Sequence, residues 1–160
     1  MVEIKAAVVI VSDTRLENDD LSGQKLSDLL SGIGAEISEK IIVTDDLEHL
    51  RNTLYTLTER QDVNLILTTG GTGFGPRDNT PEATRGVIER EAPGLAEAMR
   101  RETFSKTQMA MLSRAIAGIR GSTLIINLPG SPKAVEECFE VIQPILRHAV
   151  ALISGKTEHK

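Results

Sequence analysis

Residues 65–84 read LILTTGGTGFGPRDNTPEAT, and the order of these residues decides the fold. Leu65 to Thr69 reads as a buried strand. Gly70, Gly71, Gly73 and Gly75 follow within six positions. Downstream, Thr80-Pro81-Glu82 has the pattern of a helix start, with Thr80 as N-cap and Pro81 at the first helical position. Strand, glycine loop and helix N-terminus, in that order, are how an α/β protein builds an anion site. Glycine lets the backbone approach a phosphate, and exposed N–H groups and the helix dipole direct positive charge at it. One cation, Arg77, and one anion, Asp78, are set in this loop. Phosphate handling is the first expectation.

Outward from the loop, strands and helices alternate. Ile4 to Ser12 is a nearly continuous apolar run suited to a central strand, followed by a polar, acidic loop over 13–20. Ser22 can cap a helix carrying Leu26, Leu29 and Leu30 on its inner face, which Gly32 and Gly34 end. A second strand is expected within 35–44. A helix then runs to about Arg60, with Leu47, Leu50, Leu54 and Leu57 at helical spacing. Helices are expected over 81–91 and 93–104, two extended segments around Gly121-Ser122, and a long closing helix over 132–153 that contains Pro144. Such alternation predicts βαβ units and a mostly parallel central sheet flanked by helices: a three-layer α/β sandwich, with one domain over 1–155 and a polar tail over 156–160.

Composition agrees. With 160 residues, three Phe, one Tyr and no Trp, the core must be aliphatic, as in a helix-covered parallel sheet. The scarcity of aromatics argues against base-stacking modules, and the net charge of −5 argues against a nucleic-acid partner. Cys138 is the only cysteine, which excludes an intrachain disulfide and a Cys-rich zinc site. His49, His148 and His159 stand isolated and read as surface side chains. No signal peptide, lipidation motif or membrane-spanning segment is recognised, so a soluble, cytoplasmic protein is expected.

Open α/β sheets bind ligands beyond the carboxyl ends of their strands. Four such ends carry polar clusters: Ser12-Asp13 with Asp20, Thr44-Asp45-Asp46, the glycine loop with Asp78, and Asn127-Leu128-Pro129-Gly130-Ser131-Pro132-Lys133. Gathered at one sheet edge they would combine carboxylates, two nests of backbone donors and a lysine. Donors beside carboxylates suit a phosphate site once a divalent cation is added, since Mg²⁺ is usually held by one or two carboxylates plus substrate phosphates. Phosphoryl or nucleotidyl transfer is the chemistry that follows. Each piece also has a plainer reading. The loop could be a tight crossover, and it matches neither the dinucleotide fingerprint nor the P-loop. Asp45 or Asp46 could cap its helix, Asp78 could pair with Arg77 or cap its own turn, Ser131 could be an N-cap, and Lys133 a solvated first-turn residue.

Taken together, TTGGTG-x-x-x-RD-x-TPEAT, PGLAEAMR, LSRAIAG, NLPGSPKAV, VSDTR and Asp20-x-Ser22-Gly23 resemble the molybdopterin-binding family of molybdenum-cofactor biosynthesis. That family includes the MogA and MoaB proteins and the G domains of gephyrin and plant Cnx. The resemblance covers nearly the whole chain. It implies a molybdopterin adenylyltransferase, in which the terminal phosphate of molybdopterin attacks the α-phosphate of ATP with Mg²⁺ and pyrophosphate leaves. Asp45 and Asp78 match the catalytic, metal-holding aspartates, with Asp46 as the alternative to Asp45. Gly70, Gly71, Thr72 and Gly73 match the phosphate loop. Ser113, Asn127, Gly130, Ser131 and Lys133 match the ligand cleft, Asp13 and Asp20 its acidic mouth, and Ser22 is grouped with them. The resemblance further implies a homotrimer or hexamer and contact with other cofactor-biosynthesis proteins. Some MoaB-type members lack the RD-x-TPEAT pattern and clear transferase activity. This sequence retains that pattern, although its SDTRLENDDLSG segment is MoaB-like. The competing readings are a molybdopterin carrier without chemistry, a trimeric clustering domain, and an enzyme acting on another phosphorylated substrate.

Overall fold

The computed structural model describes residues 2–14 and 20–156. In chain order its elements are β1 (Lys5–Val11), α1 (Leu21–Gly32), β2 (Glu36–Val43), α2 (Leu47–Thr58), β3 (Leu65–Thr69), α3 (Thr80–Arg85), β4 (Arg90–Glu91), α4 (Pro93–Phe104), β5 (Ala117–Arg120), β6 (Thr123–Leu128) and α5 (Pro132–Ser154), with a 3-10 helix over Gln108–Leu112. The strands form one six-stranded sheet in the order β2-β1-β3-β6-β5-β4. Pairings among β2, β1, β3 and β6 are parallel, and β5 and β4 add two antiparallel pairings at one edge. The expected mostly parallel sheet is the one observed.

Why the central strands read as unbroken apolar runs is plain from their packing. Successive residues point to opposite faces, and both faces are covered. Ala6, Val8 and Ile10 of β1, Leu65 and Leu67 of β3, and Leu124, Ile126 and Leu128 of β6 pack against α1, α4 and α5. The alternate residues Ala7, Val9, Val11, Ile66 and Ile125 pack against Leu50, Leu54 and Leu57 of α2 and Ala83 of α3. Phe139 of α5, 1% exposed, is the largest side chain in this core. Its burial contributes on the order of 2–3 kcal/mol. The chain stays helical through Pro144, which sits on the exposed face of α5. There water can satisfy the carbonyl that proline leaves without a donor.

The structure corrects three sequence expectations and adds one element. The helix expected over 81–91 stops at Arg85. Gly86 caps it, and Glu89 then donates to the Ile119 carbonyl at 2.8 Å, drawing the chain into β4. Ile88 packs on Gly118, where any Cβ would lie 2.6 Å from Ile88 Cδ1. Tertiary pairing thus overrides local helix preference. Second, Asp20 and not Ser22 caps α1, because Asp20 Oδ1 accepts the Gly23 N–H at 2.8 Å. Third, Asn79 occupies the N-cap of α3, and Thr80 is its first helical residue. The added element is the 3-10 helix over Gln108–Leu112, a stretch for which the sequence carries no expectation. The acidic loop was expected over 13–20, but 15–19 lie outside the described residues, as do His159 and the tail from 157.

Chain direction across the sheet reverses next to β1. From β1 the chain crosses through α1 to β2 on one side, then returns through α2 to β3 on the other. Its two connecting helices lie on opposite faces. The carboxyl ends of β1 and β3 therefore flank a topological switch point, where parallel sheets open a crevice.

Candidate functional site

At that switch point lies a cleft of about 350 Å³, lined by Val11, Ser12, Asp13, Thr14, Asp45, Gly70, Gly71, Asp78 and Gly130. All four strand-end clusters singled out in the sequence contribute to it. Its floor is backbone. Gly70 and Gly71 have φ of 100° and 68°, the left-handed region that favours glycine. Space demands glycine as well: a Cβ on Gly70 would lie 2.5 Å from the Val11 carbonyl oxygen, and one on Gly71 2.4 Å from Thr80 Oγ1. The turn after β6 presses on this floor, since a Cβ on Gly130 would stand 3.4 Å from Gly70 Cα. Two hydroxyls fix that turn. Ser22 Oγ donates to the Gly130 carbonyl at 2.5 Å and Thr69 Oγ1 to the Pro129 carbonyl at 2.7 Å.

Three carboxylates and one guanidinium surround the floor. Asp13 accepts two hydrogen bonds from Arg77, at 2.7 and 2.9 Å, and a third from the Asp45 N–H at 3.0 Å. Those donors, Arg77 first, hold the Asp13 carboxyl below the ordinary aspartate range. Asp45 moves the other way. Burial, then the like charges of Asp13 and Asp78, push it up. Asp46 caps α2 by accepting the His49 N–H at 2.8 Å, which leaves the Asp45 side chain to the cleft. Asp78 closes its own turn, with Oδ2 accepting the Gly75 N–H at 2.8 Å. The alternatives left open by spacing are thereby resolved: Arg77 pairs with Asp13, and Asp78 caps locally.

The helix-dipole part of the phosphate argument needs correction. α3 has only six residues, and the Thr80 N–H is spent on the Gly71 carbonyl. Free donors come from the loop itself. The amides of Gly71, Thr72 and Gly73 find no partner among the described residues.

Other expected site residues lie apart. Asp20 is buried at the start of α1, with Lys40 Nζ 3.8 Å from its Oδ2. Thr72 is buried, and what it offers the loop is its backbone N–H. Ser131 caps α5, accepting the Ala134 N–H, and Lys133 is exposed on the first turn of that helix. Ser113 and Asn127 line a second, mostly apolar hollow of about 180 Å³ with Met99, Met109, Pro129 and Cys138. Asn127 is fully buried, and its amide is engaged within the fold: Nδ2 donates to Thr68 Oγ1 and Thr84 Oγ1, and Oδ1 accepts the Ile116 N–H.

Sequence reasoning missed the residues that brace the cleft. Asn79 Nδ2 donates to the Asp45 carbonyl at 2.7 Å, tying the glycine loop to the end of β2. Arg114 reaches the loop from a position more than thirty residues downstream of Asp78. Partners so distant in sequence leave no local spacing to read.

Comparisons with known proteins point the same way. Residues 7–148 match the family described as "Probable molybdopterin binding domain". The molybdopterin adenylyltransferase of Helicobacter pylori is 40% identical over 139 residues, covering 86% of this chain and 79% of that protein. The Drosophila melanogaster molybdenum cofactor synthesis protein cinnamon is 45% identical over 157 residues, 96% of this chain but 26% of its own length, so the chain spans about a quarter of that relative. The crystal structure of the molybdopterin biosynthesis enzyme MoaB from Thermus thermophilus superposes with a TM-score of 0.88 at 43% identity, covering 96% of this chain and 98% of that one. A match that starts within β1, ends within α5 and takes in every wall of the cleft places this chain in the molybdopterin-binding family of molybdenum cofactor biosynthesis.

Proposed function

We propose that the chain transfers AMP from ATP to the terminal phosphate of molybdopterin. The observation that carries this reading is the meeting of Asp45 and Asp78 over the Gly70–Gly71 turn in one cleft. The name of the Helicobacter pylori relative supports it. A phosphate monoester is mostly dianionic near neutral pH, so the nucleophile needs no histidine base. Its oxygen bonds to the α-phosphorus of ATP as the bond from that phosphorus to the bridging oxygen breaks, and pyrophosphate leaves with the electron pair. Alignment and charge are what the residues must supply. The amides of Gly71, Thr72 and Gly73 are the donors for phosphate oxygens.

The donor set also fits Mg²⁺. Asp45 and Asp78 are hard oxygen ligands facing one cleft; burial and then the like charges of Asp13 and Asp78 raise Asp45, and a cation would relieve that repulsion. Among the described residues no three His, Cys, Asp or Glu side chains gather into a cage, so substrate phosphates and water would complete the shell. Mg²⁺ bound there supplies neutralisation of phosphate charge. The assembly proposed is a trimer or a pair of trimers, read directly by light scattering.

Purified protein with ATP, Mg²⁺ and molybdopterin should form adenylylated molybdopterin and pyrophosphate, and Asp78→Ala should still bind molybdopterin but transfer AMP poorly. Tight molybdopterin binding with no transfer by the wild type would instead make the chain a carrier. Unchanged turnover in Asp78→Ala would remove Asp78 from the metal site.

A further inference from the structure

We propose that Arg114 is the positioning residue that holds Asp78 in place opposite Asp45, acting through the glycine loop without touching substrate. The inference rests on the adenylyl-transfer reading. Arg114 lies between the 3-10 helix and β5, and its hydrogen bonds span the loop from one limb to the other. Its backbone N–H donates to the Thr72 carbonyl at 2.8 Å. Nε donates to the Gly73 carbonyl at 2.8 Å, and Nη2 to the carbonyl of Asp78 itself at 2.7 Å. Nη1 meets Glu82 of α3 at 2.6 and 3.1 Å. One planar guanidinium thus fastens both ends of the loop and the helix that follows.

The base of the loop is closed by Thr80, whose N–H and hydroxyl donate to the Gly71 and Gly70 carbonyls at 3.1 and 2.9 Å, but little anchors its outer limb. Phe74, Gly75, Pro76 and Arg77 are exposed and bury nothing in the core. The bonds between Gly75 and Asp78 are internal to the turn, so they shape it without placing it on the sheet. Arg77 reaches Asp13 through solvent-exposed side chains, a weak tether. Asn79 ties the loop to the Asp45 carbonyl, fixing one side. Arg114 fixes the other. The Asp78 carboxylate and the carbonyl that Arg114 grips belong to the same residue, so loss of the grip frees the carboxylate. Lysine cannot replace it, because an ammonium lacks the fork that reaches two carbonyls and a carboxylate together.

The test compares Arg114→Gln, Arg114→Lys and Glu82→Gln with wild type in molybdopterin adenylylation, alongside amide hydrogen exchange across residues 71–79. Residues that orient a metal-holding carboxylate typically change affinity or activity on the order of 10- to 100-fold. The expected result is a kcat loss of that size in Arg114→Gln, with KM for molybdopterin within about threefold, since an alignment defect is felt in the transition state. More Mg²⁺ should be needed for half-maximal rate. Arg114→Lys should remain impaired, and Glu82→Gln should lose less because Gln still accepts from the guanidinium. Exchange should quicken over 71–79 and stay unchanged in β1 and α5. Arg101→Gln, at an exposed arginine paired among the described residues only with Glu102, is the control and should match wild type. Wild-type kcat in Arg114→Gln, or unchanged loop exchange, overturns the inference. Should Arg114→Gln not fold, Arg114→Lys and Glu82→Gln decide by the same two readouts. If the wild type transfers no AMP, the adenylyl-transfer reading fails, and loop exchange with Mg²⁺ titration alone judges Arg114.

Discussion

Placing a methyl on the floor of the cleft gives a sharp test of why glycine is there. Gly71→Ala forces a side chain into a backbone with φ of 68° and sets its Cβ 2.4 Å from Thr80 Oγ1. The left-handed conformation costs about 1–2 kcal/mol for alanine. The Thr80 hydroxyl must also swing away from the Gly70 carbonyl, which it now meets at 2.9 Å. Leaving that partly buried acceptor unpaired costs about 1–3 kcal/mol. The single substitution should therefore destabilise by about 2–5 kcal/mol. In a Thr80→Ala background the obstructing oxygen is gone and the hydrogen bond already lost, so adding Gly71→Ala should cost only about 1–2 kcal/mol. Guanidinium unfolding of the four proteins, at one protein concentration, measures the coupling. Additivity within about 0.5 kcal/mol would refute the reasoning, because the two sites would then be independent. Turnover should stay low in the double variant even though the clash is relieved, since the same methyl stands 3.1 Å from Asp45 Oδ1.

Asp45→Asn should raise the melting temperature at pH 7 while abolishing turnover. The folded carboxyl is raised above its unfolded value near 3.9. Its destabilising effect is thus present above the folded pKa and fades as pH falls through it, so the gain should shrink towards pH 4; a constant gain from pH 7 to 4 would contradict this. Asp46→Ala removes the α2 cap and should lower stability by about 0.5–2 kcal/mol with little effect on kcat, which distinguishes it from its neighbour. Burial pushes the Cys138 thiol up to about 11. Ellman's reagent should therefore react slowly with the folded protein at pH 8 and rapidly once it is denatured. Rapid native labelling would show that the second hollow opens.

What could be read in advance follows the range over which the physics acts. The central strands were legible because a strand covered on both faces must be apolar throughout, as Val8 and Val9 are. Glycines at 70 and 71 announced a backbone with positive φ next to a close neighbour, and both conditions hold. Convergence of four strand ends followed from the parallel topology alone. Features set by partners distant in sequence stayed hidden. Nothing near Ile88 reports that Gly118 waits for it, so local pattern extends the helix past its true end at Arg85. Ser22 resembled a cap locally, yet its hydroxyl serves a carbonyl 108 positions away. Asn127 sits in a motif rich in site residues, while its amide holds Thr68 and Thr84 together. Only coordinates separate a polar group that faces a ligand from one that faces the interior.

The place of β6 in the sheet bears on how the chain is made. β6 pairs with β3 on one side and β5 on the other, although about sixty residues separate it from β3 in synthesis. A nascent chain that has emerged only through β3 can form the β2-β1-β3 half and bury it under α1 and α2. It then presents the backbone edge of LILTT unpaired until Thr123–Leu128 arrives. At about 5–20 residues per second, that exposure lasts roughly 3–12 seconds on the ribosome. An open apolar edge is the usual seed for strand-to-strand association between chains. Gly130, the last wall of the cleft, leaves the ribosome just after the strand that closes this edge. The interval before the site can exist is therefore also the interval of greatest exposure to aggregation.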